Sequence, residues 1–129
     1  MSKTALDLSR EEWKRYNPSL GLERNLMEKY NEVERRKANA WQVALKAAHL
    51  LRKDFGAKKV FVFGSLANEI GYNYWSDIDL AVSGVDAELF YSAVAEVTGL
   101  SSSFRIDLID VDDCRSGLKK VIEQNGREI

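Results

Sequence analysis

Cysteine, proline and histidine each occur once in this chain. A lone Cys114 cannot form an internal disulfide, and without a Cys or His cluster it supports neither a zinc site nor a thiol nucleophile. That usage fits a reducing compartment, and a cytoplasmic setting is the expectation. The single His49 lies in a helical stretch far from other chemistry-bearing residues and reads as half-buried surface. No apolar run is long enough to span a bilayer, and the opening MSKTALDLSREEW lacks a signal peptide's apolar core. An excess of one charge is also missing: 19 Lys and Arg stand against 20 Asp and Glu. A near-neutral chain with no basic stripe argues against nucleic acid as the partner, and nothing points to a membrane surface.

What is present is a chain of 129 residues, enough for one real hydrophobic core. Pro18, with Asn17, Ser19 and Gly21, marks the one clear early break. Before it, LSREEWKRY reads as a short helix, with Ser9 as cap, Glu12 three positions on, and Trp13 docked elsewhere. After it, Leu22, Leu26, Tyr30, Val33, Ala40, Trp41, Ala44, Leu45, Ala48 and Leu51 recur at helical spacing, and Gly56 stops the run. One helix from 23 to 54 would be roughly 48 Å long. Either it breaks near Arg35–Asn39, where apolar residues thin out, or its first half projects. Residues 1–37 are therefore expected to be a helical extension or arm, and 38–129 the folded domain.

Strands are expected over Lys59–Phe63, Ile78–Val82 and Phe104–Ile109. A helical turn follows the first, near Ser65–Glu69. One helix runs from a cap at Asp86 to Thr98, and another covers Cys114–Gln124, capped by Asp110 or Asp112. The class is α/β (α+β): a small mixed sheet with helices packed on one face.

The chemistry lies in the acids. Side chains alternate along a strand. Ile78, Leu80 and Val82 therefore face one way, and Asp77, Asp79 and Ala81 the other. In the third strand Phe104, Ile106 and Leu108 oppose Arg105, Asp107 and Ile109. If the large apolar residues meet the helices, Asp77, Asp79 and Asp107 converge on the uncovered face. Residues i and i+2 of a strand are about 7 Å apart, and neighbouring strands about 4.8 Å. Three carboxylates at such spacing suit one or two small hard cations, which would offset their mutual repulsion. A lone Asp-x-Asp is often just a solvated strand edge; the third acid on the matching face is what raises the metal reading. Asp86, Asp110, Asp112 and Asp113 read as caps and surface charge. Gly64 and Ser65 end the first strand, where a residue without a side chain lets a phosphate reach backbone amides.

Strand, Gly-Ser, spacer, Asp-x-Asp and a later third Asp together resemble the DNA polymerase beta-like nucleotidyltransferase superfamily, and most closely its minimal nucleotidyltransferase (MNT) domains. The residues that carry the likeness are VFVFGSLA (60–67), SDIDLAV (76–82) and RIDLID (105–110). The resemblance implies a nucleotidyltransferase fold that binds a nucleoside triphosphate, ATP being expected, with Mg2+ or Mn2+. Gly64 and Ser65 would hold the triphosphate. Asp77, Asp79 and Asp107 would be the catalytic and metal-binding acids, with Asp107 helping to deprotonate the acceptor. Leu66 and Asn68 stand where relatives commonly carry arginine, so Arg105, on the face of Asp107, is the candidate phosphate cation, or else a balance for the acids. The implied partner is a helical HEPN protein, adenylylated and silenced within a toxin–antitoxin pair. The alternative is a catalytically weak binding module that neutralises such a partner by complex formation. A third reading, extension of RNA ends, is opposed by the neutral charge. Tyr72, Tyr74 and Trp75 either stack on a base, meet a partner or cover the sheet edge.

Overall fold

The computed structural model describes residues 18–68, 71–73 and 75–129, and side chains of the first helix from Glu23 onward. The expected helix at LSREEWKRY, its Trp13, and Tyr74 lie outside the described residues. The chain divides into two compact units, Met1–Glu34 and Arg35–Ile129.

Helix α1 is a single helix, Pro18–Phe55. It starts earlier than the spacing of apolar residues suggests, because proline with its fixed φ suits the first helical position. Of the two alternatives, a break near Arg35–Asn39 or an unbroken helix, the second holds. Apolar residues thin out there, but Arg, Lys and Ala are strong helix formers and sustain the helix without them. Gly56, with φ +69°, ends it. Strand β1 is Lys59–Phe63, the turn of helix α2 Gly64–Ala67, β2 Ile78–Ser83, α3 Ala87–Thr98 and β3 Ile106–Asp110. A 3-10 turn at Val111–Asp113 leads to α4, Ser116–Asn125, and a two-residue strand β4, Arg127–Glu128.

The four strands form one mixed sheet in the order β3-β2-β1-β4. β1 is antiparallel to β2 and β4, whereas β2 and β3 are parallel. A parallel pair needs a crossover, which α3 supplies while packing on β3 through buried Ala93 and Val97.

Val60, Val62, Ile78, Leu80, Val82, Ile106 and Leu108 share one face by register, and all are buried. The second half of α1 lies on this side. Arg127 pairs with Val62, so its side chain shares that face, and its guanidinium sits 5.5 Å from the Trp41 ring centroid. The helix presents Ala40, Ala44, Ala47, Ala48 and Leu51, all buried at helical spacing. The opposite face was expected to be uncovered, and it is so only in part. Ile122 of α4 packs with Phe61, Ala81 and Val111, with Phe63 and Ile109 against them. Among the described residues, no helix is long and apolar enough to cross a membrane.

Candidate active site

The topology gathers three chain segments at one end of the sheet. The antiparallel β1–β2 pairing places the end of β1 beside the start of β2, with Phe63 opposite Asp79. The parallel β2–β3 pairing places Asp107 directly opposite Asp79. Asp77 stands just before β2, where the Ile78 amide donates to Arg105 O at 2.9 Å. The acids thus occupy the end of the sheet that α4 leaves open, beside Gly64.

Gly64 is required twice over. Its φ is +70°, a conformation that side chains disfavour. A Cβ added there would overlap Asp79 Oδ2 and stand 3.2 Å from Asp79 Cγ. The bare backbone of the Gly-Ser turn therefore lies against the central carboxylate. Ser65 is half-buried next to it.

Asp79, Asp107 and Asp77 are all partly buried. Burial pushes the Asp79 carboxyl above the ordinary carboxylate range, and the negative charges of Asp107 and Asp77 push it further the same way. Arg105 Nε lies 3.5 Å from Asp107 Oδ1, with its side chain 76% exposed. Such a solvated pair adds little stability and leaves the guanidinium reachable. Among the described residues, no three Asp, Glu, His or Cys side chains are closed into a ligand set for a metal ion. The donor chemistry nevertheless fits a hard divalent cation: carboxylate oxygens, partly desolvated, repelling one another on paired strands.

The remaining acids serve as caps and surface charge, as expected, except at the start of α4. The Asp112 carboxylate accepts from the Gly84 amide at 3.1 Å and from Ser83 Oγ, and Asp110 Oδ1 accepts from the Asp112 amide at 3.0 Å. Neither caps α4, whose N-cap position is Arg115. Asp86 holds the N-cap position of α3 without a side-chain bond. His49 is exposed, and Cys114 Sγ donates to Val111 O.

The aromatic loop separates into two roles. Tyr72 is buried, and its hydroxyl has no partner among the described residues, so it packs as core and cannot stack on a ligand. Trp75 is 82% exposed on a turn fixed by Asn73 Oδ1, which accepts from the Trp75 amide at 2.8 Å. Arg36 on α1 was not anticipated. It donates to Ser103 O at 2.7 Å and covers the Phe104 ring. A signal for it existed: Arg36 is in step with Ala40, Ala44 and Ala47 on the stripe that faces the sheet, where a charge needs a purpose.

The chain belongs to the polymerase beta nucleotidyltransferase family, whose model matches residues 46–129. Solved structures with the same fold come from toxin–antitoxin complexes. One, a toxin–antitoxin with AMP-PNP, has a TM-score of 0.54 at 21% identity over 66% of this chain and 70% of that one. Another, the tri-AMPylated HEPN toxin of Shewanella oneidensis in complex with MNT antitoxin, has a TM-score of 0.52 at 19% identity over 69% and 70%. The MntA–HepT toxin–antitoxin has a TM-score of 0.52 at 20% identity over 68% and 69%. At these identities the likeness shows the fold. No curated protein sequence matches the chain.

Proposed function

We propose that this protein transfers AMP from ATP to a hydroxyl of a protein partner, a HEPN-like helical protein, as the antitoxin of a two-component pair. Residues 38–129 form the transferring domain in this reading, and residues 1–37 an extension that faces the partner. One observation carries the proposal: Asp79 stands in register with Asp107 and against the bare backbone of Gly64, with Asp77 within electrostatic reach. Family membership supplies the transferase class. The solved complexes with AMP-PNP and with an AMPylated HEPN toxin support the nucleotide and the acceptor.

Asp77, Asp79 and Asp107 would hold Mg2+ or Mn2+, which supplies charge neutralisation at the phosphates and a lowered pKa for the acceptor oxygen. Gly64 and Ser65 offer backbone and hydroxyl donors to the triphosphate, and the exposed Arg105 offers it positive charge. Asp107 takes the acceptor's proton. The acceptor oxygen forms a bond to the α-phosphorus, and the bond from that phosphorus to the bridging oxygen breaks. Pyrophosphate leaves with the bonding electrons.

The decisive experiment incubates the chain with α-labelled ATP, Mg2+ and a HEPN protein from the same genome. Label on the HEPN protein, lost in Asp77→Asn and Asp79→Asn, is the expected result. Tight binding without transfer, indifferent to both substitutions, favours the second reading, a module that neutralises by binding. Leu66 speaks for that alternative: it occupies a common arginine position yet is buried, so no cation stands there.

A further inference from the structure

We propose that Arg36 is a positioning residue of the acidic site: it fastens the segment entering β3 and thereby sets Asp107 opposite Asp79. The inference rests on reading that site as one for metal and nucleotide. Arg36 precedes the region matched by the family model, which begins at residue 46.

Its Nη2 donates to Ser103 O at 2.7 Å, and its guanidinium carbon lies 4.2 Å from the centroid of the buried Phe104 ring. A bidirectional hold of this kind, on a backbone oxygen and on a ring, fixes the chain at two adjacent residues. Phe104 is followed at once by the point where β3 meets β2. Arg105 O accepts from the Ile78 amide, and then Ile106 pairs with Ile78 and Asp107 with Asp79. Because side chains alternate, a slip of one residue would bring Ile106 or Leu108 to the place of Asp107. Holding Phe104 therefore holds the register on which the facing carboxylates depend.

The same guanidinium is within electrostatic reach of Tyr72. Burial pushes the Tyr72 phenol up, and the positive charge of Arg36 opposes that push. A charge on the buried stripe of α1 is costly unless it is bonded, and the Ser103 bond and the Phe104 ring offset part of that cost. Residues that orient metal ligands from behind typically change metal affinity 10–100-fold when replaced.

The test is calorimetric titration of Mn2+ into the full chain in the presence of AMP-PNP, for the unaltered protein, Arg36→Gln, Arg36→Lys and Phe104→Leu. Arg36→Gln is expected to weaken Mn2+ uptake about 10–100-fold at a temperature where thermal unfolding shows it folded. Arg36→Lys retains charge and a donor but not the stacked plane, and recovers part of the loss. Phe104→Leu keeps apolar bulk while removing the ring, weakens uptake in the same direction, and decides the matter if Arg36→Gln does not fold. Folded Arg36→Gln or Phe104→Leu protein with unchanged Mn2+ affinity overturns the positioning role and leaves the site reading intact. Absence of Mn2+ uptake by the unaltered protein overturns that reading, and the inference with it.

Discussion

Replacing Gly64 with alanine tests the site more sharply than removing an acid, because the cost can be divided in two. The first part is conformational. Gly64 has φ +70°, and a side chain held in that region costs about 1–2 kcal/mol. For a folded unit of this size, such a loss lowers Tm by roughly 4–16 °C. The second part is contact. The new Cβ would overlap Asp79 Oδ2, so the carboxylate must rotate or the turn must move. Gly56→Ala is the control: its φ is +69°, yet a Cβ there meets nothing within 4 Å. It should carry the conformational cost alone. The two variants should therefore lose similar stability from backbone strain, with Gly64→Ala losing more in total. Only Gly64→Ala should weaken Mn2+ uptake in the presence of AMP-PNP, by about tenfold or more. Differential scanning calorimetry reads the first effect and titration calorimetry the second. Gly64→Ala with unaltered Mn2+ uptake, or Gly56→Ala with an equal loss of it, would refute the claim that the turn is shaped around Asp79.

Three further outcomes follow from the same geometry. Asp79 has a raised pKa, so the folded state binds its proton more readily than the unfolded chain, and its contribution to stability is lost as pH rises through the folded value. Asp79→Asn should therefore raise Tm at neutral pH while abolishing transfer, and thermal scans should show the gain vanish below the ordinary carboxylate pKa; an unchanged difference across pH would contradict this. Asp107→Asn should lower the Asp79 pKa but leave it elevated, since burial is the larger cause, as an NMR titration of the carboxyl carbons would reveal. Leu66→Arg restores a common family arginine but places a charge where Leu66 is 1% exposed, and should cost more than about 2 kcal/mol in urea unfolding. A stable Leu66→Arg protein with tighter ATP binding would show that the side chain finds another way out.

The first strand was readable as a continuous apolar, β-prone run, Val60–Phe63, and the others from alternation in Ile78–Val82 and Arg105–Ile109, which also placed Asp79 and Asp107 on one face. Their direct pairing was not readable, since register depends on which strands are neighbours. Strand β4 left no trace: two exposed charged residues, Arg127 and Glu128, carry no apolar pattern. The cover that α4 gives to Phe61 and Ala81 was hidden for a related reason. Ile122 fits any amphipathic helix, and only the fold says which surface it meets. Apolar spacing left the continuity of α1 open, and the helix propensity of Arg35, Arg36, Lys37 and Ala38 is what decides for one unbroken helix. Arg36 is a missed signal, a charge whose position on the alanine stripe was visible but unused.

The placement of β3 at the outer margin of the sheet has a consequence for solubility. An edge strand offers unpaired backbone to any passing chain, and ionised side chains along it discourage such association. Asp107 and Asp110 lie on that margin, both partly accessible to water. The acid proposed for the transfer chemistry is thus also a guard against strand-on-strand aggregation, and neutralising it removes that guard.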